Sequence, residues 1–164
     1  MSFSLKPVYV LDRLSRLTPE KLKELDICLL LLDLDNTISP YGVPSPEAET
    51  IEWAENMKKG GITLFIVSNS KKARPEVFAK AMDIPFVNRA KKPSPRFLNY
   101  AMEKTGIPPE KTALAGDQIF TDTLAANLAG VRSILVEPIK FTNPFLAVRY
   151  YMETPFRKMY KTKL

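Results

Sequence analysis

The residue types that could carry out chemistry in this chain are carboxylates, lysines, hydroxyls and amides. Histidine is absent from the sequence, and Cys28 is the one cysteine. These counts exclude Ser-His-Asp and Cys-His nucleophiles, phosphohistidine, and zinc sites built from histidine or several thiolates. Two acids stand two residues apart in Asp33-Leu34-Asp35, and Asp122 follows Asp117 by five residues. Any catalysis must therefore be carried out by carboxylates, lysines, hydroxyls and hard cations.

These acids belong to four polar clusters that occur in order along the chain. The clusters are Asp33–Thr37, Ser68–Ser70, Lys91–Pro93, and Gly116-Asp117 with Asp122. A single Asp-x-Asp is weak evidence, because acids at strand ends are often only helix caps or solvated loop residues. Four clusters, each placed at the end of a predicted strand, are a much stronger signal of one common site.

The elements that must position these clusters alternate between short apolar runs and segments of helical period. The predicted strands are Ile27–Leu32, Ile62–Val67, Phe86-Val87, Thr112–Ala115 and Ser133–Val136. The predicted helices begin at Ser45-Pro46, Arg74, Ser94-Pro95 and Asp122, and three of them end at glycines. This alternation predicts an α/β fold with a single, doubly wound parallel sheet of about five strands. Ligands of such sheets bind at the carboxyl ends of the strands.

The four clusters resemble the motifs of the haloacid dehalogenase (HAD) superfamily, and within it the IIIA-type, YqeG-like phosphatases. The stretches that carry the resemblance are LLLDLDNTISP, FIVSNS, AKKPSP and AGDQIFTD, followed by AGVRSILVEPI. They extend over roughly residues 27–139. The resemblance implies a phosphatase that uses Mg²⁺ and an aspartyl-phosphate intermediate.

The resemblance also implies a role for each site residue. Asp33 is expected to be the nucleophile, and Asp35 the general acid and base whose main-chain carbonyl also ligates the metal. Asp117 is expected to bind Mg²⁺, with Asp122 completing the shell or orienting a bound water. The remaining expected site residues are Ser68, Asn69 and Lys92 for the phosphoryl group, and Thr37 for orienting the loop. Lys91 is the alternative to Lys92, but the superfamily pattern places the lysine directly before proline.

The connections between motifs indicate a site without a cap domain. Residues 35–68 accommodate one helix and one strand, and residues 69–91 accommodate a helix and a short strand. An open site suits a bulky or surface-bound substrate, or else a cap supplied by another subunit. An oligomer is therefore one of the expected possibilities.

The chain divides by composition into an N-terminal extension (1–26), a phosphatase domain (27–140) and a basic, aromatic tail (141–164). The extension is expected to contain a helix around Pro19–Leu25. The tail carries five basic residues and one acid, a net charge of +4 out of +6 for the chain. A helix is predicted from Asn143-Pro144 until Pro155, with Phe145, Val148 and Met152 on one face. That face either rests on an anionic membrane or packs on the phosphatase domain.

Composition and segment lengths bound the remaining properties. The 164 residues, 45% hydrophobic and 26% charged, are typical of one globular domain. No membrane span or signal peptide is recognised, so a cytoplasmic protein, peripheral at a membrane through its tail, is expected. Nucleic acid is not an expected partner, because no basic stripe or aromatic platform accompanies the motifs.

Three functions remain open from the sequence. The first is hydrolysis of a phosphomonoester, with phosphatidylglycerophosphate or a similar lipid phosphate as the expected substrate, because relatives of the YqeG-like group include mitochondrial phosphatases for that lipid. The second is a soluble phosphosugar or nucleotide phosphatase whose cap comes from another subunit. The third is a non-enzymatic phospho-acceptor module like response-regulator receivers, in which Asp35 would have no purpose.

Overall fold

The computed structural model describes residues 3–140, 144–160 and 162–164. Among these residues, seven strands form one sheet in which every pairing is parallel. The strands are β1 (Tyr9–Leu11), β2 (Leu29–Leu32), β3 (Thr63–Val67), β4 (Phe86–Val87), β5 (Thr112–Gly116), β6 (Arg132–Val136) and β7 (Thr162–Lys163). The predicted doubly wound α/β fold is confirmed, but the expected count of about five strands is too low.

The two additional strands come from the terminal segments. β1 pairs with β6, where Tyr9 lies opposite Ile134, and β7 pairs with β1, where Tyr9 lies opposite Thr162. β1 has only three residues, and β7 consists of two exposed polar residues at the sheet edge. Strands this short contain too little apolar alternation to be recognised from sequence. Both termini are thus tied to the sheet.

Six α-helices connect and cover the strands among the described residues. They are α1 (Pro19–Glu24), α2 (Ala48–Lys59), α3 (Arg74–Met82), α4 (Arg96–Thr105), α5 (Leu124–Ala129) and α6 (Pro144–Arg157). Three predicted boundaries are wrong. α2 begins at Ala48, with Glu47 at its N-cap, and not at Ser45-Pro46. A π-helical turn, Ile119–Thr123, precedes α5 and contains Asp122, and α6 continues through Pro155 to Arg157. Asn143, expected to begin α6, lies outside the described residues.

The buried sheet has two apolar faces, which explains the uninterrupted apolar run of β2. Leu30 and Leu32 pack in the cluster that contains Met57 of α2 and Phe78 of α3. The alternate residues of the same strand, Leu29 and Leu31, pack in a second cluster with residues of α4 and α5. All four leucines are fully buried, as expected for a strand covered by helices on both sides.

The strand order places the polar clusters at one crevice. The strand order in the sheet is β4-β3-β2-β5-β6-β1-β7. From β2 the chain adds β3 and β4 on one side, and from β5 it adds β6 on the other side. The direction in which strands are added therefore reverses between β2 and β5. Ligands of open α/β sheets bind at such a reversal. The β2–β3 connection holds only the β2–α2 loop (residues 33–47) and α2, so it contains no cap domain. No helix within the described ranges is long and apolar enough to cross a membrane.

Candidate active site

Three carboxylates meet where β2 and β5 end side by side. Leu32 lies opposite Ala115, and the amide of Asp33 donates to the carbonyl of Ala115 at 2.9 Å. Asp33 directly follows Leu32 and Asp117 follows Ala115 by two residues, so this pairing brings the two acids together. Oxygens of Asp33, Asp117 and Asp122 lie within 4.8 Å of one another, and all three side chains are buried. We refer to these three residues as the carboxylate cluster.

Lys92 is the cation that lies within this cluster. Its Nζ is 2.6 Å from Asp33 Oδ1 and 2.7 Å from Asp122 Oδ1, and its side chain is 1% exposed. Burial by itself lowers the pKa of Lys92, but the carboxylates of Asp122 and Asp33 raise it above its ordinary value, so the ammonium stays charged. Lys91 is exposed, so of the two candidate lysines the structure brings Lys92 into the cluster.

The buried carboxylates carry more negative charge than Lys92 balances. Burial raises the pKa of Asp33 to about 7, although Lys92 opposes this effect. Burial, followed by the charges of Asp122 and Asp33, raises the pKa of Asp117 well above its ordinary value. Both shifts have the same origin, since carboxylates crowded together away from water favour protonation unless a cation joins them.

The cluster fits a hard divalent cation. Among the described residues, the buried Oδ1 of Asp117 has no hydrogen-bond partner. Buried polar atoms are normally paired, so an orphaned carboxylate oxygen beside two other carboxylates indicates a place for a ligand. Oxygen donors with few carboxylates suit Mg²⁺, which retains several waters. Asp33 and Asp117, with Asp122 nearby, could hold this ion.

Asp122 reaches the cluster because Gly116 leaves room for it. A Cβ atom at position 116 would lie 2.3 Å from Cγ of Asp122, a distance that no real contact allows. Asp122 Oδ2 also accepts a hydrogen bond from the amide of Gln118 at 3.2 Å. The π-helical turn directs the side chain inward over the end of β5. The close approach of Asp122 to Gly116 was not predicted; a glycine at the end of a buried strand is the sequence signal that could have indicated it.

Asn69 links the second motif to the third. Its Oδ1 accepts the amide of Lys92 at 2.8 Å, and its Nδ2 donates to the carbonyl of Lys92 at 3.1 Å. These two hydrogen bonds fix the Asn69 side chain against the main chain of Lys92. Ser68 is buried, and its Oγ accepts the amide of Ser70 at 3.1 Å. Thr37 is also buried beside Asp35, and its Oγ1 has no hydrogen-bond partner within the described part of the chain.

Asp35 stands apart from the cluster and is partly exposed. Its side chain is 20% exposed and is ion-paired with Arg74 at the start of α3. Burial raises the pKa of Asp35, and Arg74 is the foremost influence that lowers it. Arg74 lies 39 residues from Asp35 and belongs to none of the four motifs, so the sequence offered no signal for this contact.

The C-terminal helix supports the site from the side of β5. Arg157 Nη1 donates to the carbonyl of Asp117 at 2.9 Å, and Glu153 accepts the amide of Phe120 at 3.1 Å. Both charged side chains are buried, and Arg157 Nη1 lies 3.5 Å from the Glu153 carboxylate. α6 is therefore part of the framework around Asp117, a role that the composition of the tail did not indicate.

Known proteins resemble this chain in sequence and in fold. A family model described as HAD-hydrolase-like matches residues 89–142. The "Probable phosphatase YqeG" of Bacillus subtilis (strain 168) is 38% identical over 130 residues, which cover 79% of this chain and 76% of that protein.

Solved structures share the fold at low sequence identity. An uncharacterized protein from Listeria monocytogenes serotype 4b superposes with a TM-score of 0.55 at 15% identity, covering 80% of this chain and 99% of that one. The 3-deoxy-D-manno-octulosonate 8-phosphate phosphatase from Moraxella catarrhalis, solved with magnesium, phosphate and the sugar, has a TM-score of 0.51 at 18% identity and covers 68% and 78% of the two chains. The sequence match to the Bacillus subtilis phosphatase, together with the family model, shows that this chain belongs to the YqeG-like phosphatases of the HAD superfamily.

Proposed function

We propose that the protein is a Mg²⁺-dependent phosphomonoesterase that forms an aspartyl-phosphate on Asp33. The observation that carries this proposal is the carboxylate cluster, in which a nucleophile, a cation site and Lys92 occur together at the strand reversal. A bound Mg²⁺ would screen the charge of Asp33 from that of the substrate. Asp33, Asp117 and the main-chain carbonyl of Asp35 would hold it, with Asp122 as a further ligand or as the acceptor for a bound water.

The reaction then proceeds in two displacements at phosphorus. An oxygen of Asp33 attacks, the bond to the leaving oxygen breaks, and Asp35 donates a proton to that oxygen. Water next attacks the phosphorus of the aspartyl-phosphate, Asp35 accepts its proton, and phosphate leaves. Lys92, 2.6 Å from Asp33, stabilises the charge that accumulates on the phosphoryl oxygens. Ser68 and the amide of Asn69 contribute further hydrogen bonds.

The catalytic proposal is tested with p-nitrophenyl phosphate. We expect hydrolysis that requires Mg²⁺ and that falls at least about a thousandfold in Asp33→Asn, as for loss of other enzyme nucleophiles. Asp83→Asn, a change at a side chain that is 98% exposed, is the matched control and should behave like wild type. Full activity of Asp33→Asn would refute the mechanism. A phosphorylated protein that persists for minutes after mixing with substrate would instead favour the receiver-like function.

We propose further that the substrate is a lipid phosphomonoester, such as phosphatidylglycerophosphate, presented at an anionic membrane. The support comes from α6, whose apolar face is turned outward. Four of its apolar side chains are largely exposed: Phe145 (73%), Val148 (57%), Tyr151 (73%) and Met152 (62%). The side of α6 that packs on the domain is the opposite one, where Leu146, Glu153 and Arg157 are buried. Exposed apolar patches of this kind mark surfaces for membranes or partners.

The charges of α6 favour a membrane over a protein partner. Glu153 is its one acidic residue, and it is buried on the opposite side. At 100° per residue, Arg149 lies at one border of the exposed apolar face, and Lys158, which directly follows the last residue of α6, is exposed. An apolar helix face bordered by cations is the pattern of helices that lie in anionic interfaces. Because Arg157 of the same helix contacts the carbonyl of Asp117, docking of α6 would bring the active site close to the membrane surface.

Vesicle sedimentation tests this second proposal without disturbing the site. We expect the wild type to bind phosphatidylglycerol vesicles and not phosphatidylcholine vesicles, and the double variant Val148→Ser/Met152→Ser to lose binding. Val77→Ser, a change at a valine that is 41% exposed on α3, is the control. All variants should hydrolyse p-nitrophenyl phosphate equally. If the double variant binds vesicles as well as the wild type does, the proposal is refuted. If instead the wild type is an oligomer and the double variant is a monomer, the soluble phosphatase with a subunit-supplied cap is favoured.

A further inference from the structure

Arg74 makes a set of contacts that the four motifs do not account for. It is the first residue of α3, and its side chain is 11% exposed. Its guanidinium pairs with the carboxylate of Asp35, while Nη2 donates to the carbonyl of Pro40 at 2.8 Å and Nε donates to the carbonyl of Val43 at 2.5 Å. One side chain thus joins Asp35 to two points farther along the β2–α2 loop.

The main-chain hydrogen bonds within this loop do not involve the carboxylate of Asp35. Asp35 bridges to Ser39, and the amide of Asn36 donates to the carbonyl of Ser39 at 2.8 Å. These contacts shape the turn but leave the carboxylate of Asp35 at an open, capless face. Proton transfer depends on holding the acid within hydrogen-bond reach of the leaving oxygen. Among the described residues, Arg74 is the side chain that restrains this carboxylate.

We propose that Arg74 is a positioning residue that orients Asp35 toward the leaving group and holds the Pro40–Val43 segment beside it. This inference rests on the proposed function, in which Asp35 exchanges the proton. The arginine fork is suited to the task, because its planar donors can bind a carboxylate and carbonyls at the same time. A lysine offers a point charge and can reach only part of this set.

The Phe78 ring, one turn farther along α3, keeps the guanidinium in place. The centre of the guanidinium lies 4.8 Å from the ring centroid, within the range of a cation–π contact. The same arrangement occurs on α4, where Arg96 also occupies the first position and lies 5.6 Å from the Phe97 ring. Arg96 is exposed, and within the described part of the chain its guanidinium contacts the Phe97 ring and not Asp35. Arg96→Gln is therefore a control in which the same residue type, at the same helix position and beside an aromatic ring, is replaced.

The experiment compares two substrates that differ in their need for a proton. The p-nitrophenolate ion is stable enough to leave without a proton. The glycerol oxygen of glycerol phosphate is a poor leaving group and must be protonated as it departs. Asp35 also activates the water that hydrolyses the aspartyl-phosphate, a step that both substrates share, so the comparison uses kcat/KM, which reports transfer of the phosphoryl group to Asp33. Acid catalysis is worth about 10²–10⁴-fold, so we expect Arg74→Gln to lower kcat/KM for glycerol phosphate about a hundredfold and for p-nitrophenyl phosphate only a few-fold. Arg74→Lys should recover part of the loss, and Arg96→Gln should change neither rate. Thermal melting of each variant identifies any that fail to fold.

A double-mutant cycle with Asp35 shows whether Arg74 acts through that residue. If it does, Arg74→Gln costs little more once Asp35 is already asparagine, since coupled residues are not additive. Equal losses on the two substrates, or full additivity with Asp35→Asn, would overturn the proposal and leave Arg74 a residue of the fold. Failure of the proposed function would give a different result: the Asp33→Asn variant would hydrolyse p-nitrophenyl phosphate at the wild-type rate.

Discussion

Replacing Asp117 by asparagine should stabilise the metal-free protein and also remove the stabilisation that Mg²⁺ provides. Asp117 is 4% exposed, and its Oδ1 has no hydrogen-bond partner among the described residues. The ammonium of Lys92 is already shared between Asp33 and Asp122, at 2.6 and 2.7 Å. Arg157 contacts the main-chain carbonyl of Asp117 rather than its carboxylate. An asparagine of the same shape would relieve the crowding of negative charge and could donate to a neighbouring carboxylate.

The size of both effects follows from this geometry. An unsatisfied buried polar group costs about 1–3 kcal/mol, so we expect a gain of that order in the metal-free variant. One kcal/mol shifts the Tm of a domain of this size by about 2–4 °C. Mg²⁺ at 100 times its Kd stabilises a protein by about 2.7 kcal/mol, so the wild type should gain about 5–11 °C. The variant, without one of its metal ligands, should gain little.

The assay is thermal unfolding of wild type and Asp117→Asn in EDTA and in a Mg²⁺ titration. The pH dependence in EDTA supplies a second readout. Burial and the neighbouring acids raise the pKa of Asp117, so the folded wild type binds more protons than the unfolded chain once pH exceeds the ordinary value of 3.8. Its metal-free stability should therefore fall as pH rises from there, and the decline should be shallower in the variant.

Two results would contradict this reasoning. A metal-free Asp117→Asn protein that melts below the wild type would mean that the carboxylate is satisfied in the fold. An equal Mg²⁺ response in the two proteins would place the ion elsewhere. Asp83→Asn, which changes an exposed acid, controls for the general effect of removing one negative charge.

Two further predictions concern the residues that support the cluster. In Gly116→Ala the new Cβ would lie 2.3 Å from Cγ of Asp122 and would displace that carboxylate. The kcat for Mg²⁺-dependent hydrolysis of p-nitrophenyl phosphate should then fall more than tenfold, and an unchanged kcat would disprove the prediction. Arg157→Met removes the cation beside the buried Glu153 and the donor to the main-chain carbonyl of Asp117. The free energy of unfolding should fall by about 3–5 kcal/mol, and hydrolysis of p-nitrophenyl phosphate should fall with it. A melting curve like that of the wild type would contradict this prediction.

The second of these predictions also governs how the tail should be tested. A chain ending near Lys140 would lose Arg157 and Glu153 together with the exposed face of α6. Loss of vesicle binding by such a chain would therefore not distinguish a missing membrane surface from a damaged site. Substitutions confined to outward side chains, such as Val148 and Met152, separate the two roles.

Much of the site could be predicted from the sequence because parallel strands end at a common edge. The apolar run that becomes β2 shows no alternation, which indicated a strand buried on both faces, and the polar residues after it had to lie at the carboxyl edge. The same argument applied to the polar residues after β3 and β5. The roles of individual residues, including the preference for Lys92 over Lys91, came from the resemblance.

The remaining features depend on contacts between segments that are distant in the sequence. Asp35 and Arg74 are 39 residues apart, and Asp117 and Arg157 are 40 apart, with no pattern in the chain linking either pair. Likewise, the terminal strands β1 and β7 are too short to be recognised without the neighbours to which they bond.

The orientation of α6 shows most clearly what only the tertiary structure decided. The sequence determined that Phe145, Val148 and Met152 share one face of a helix, since that follows from the helical repeat alone. It did not determine which face is buried. Glu153 and Arg157 neutralise each other and bond to the main chain around Asp117, so the charged side of the helix can be buried and the apolar side is turned outward.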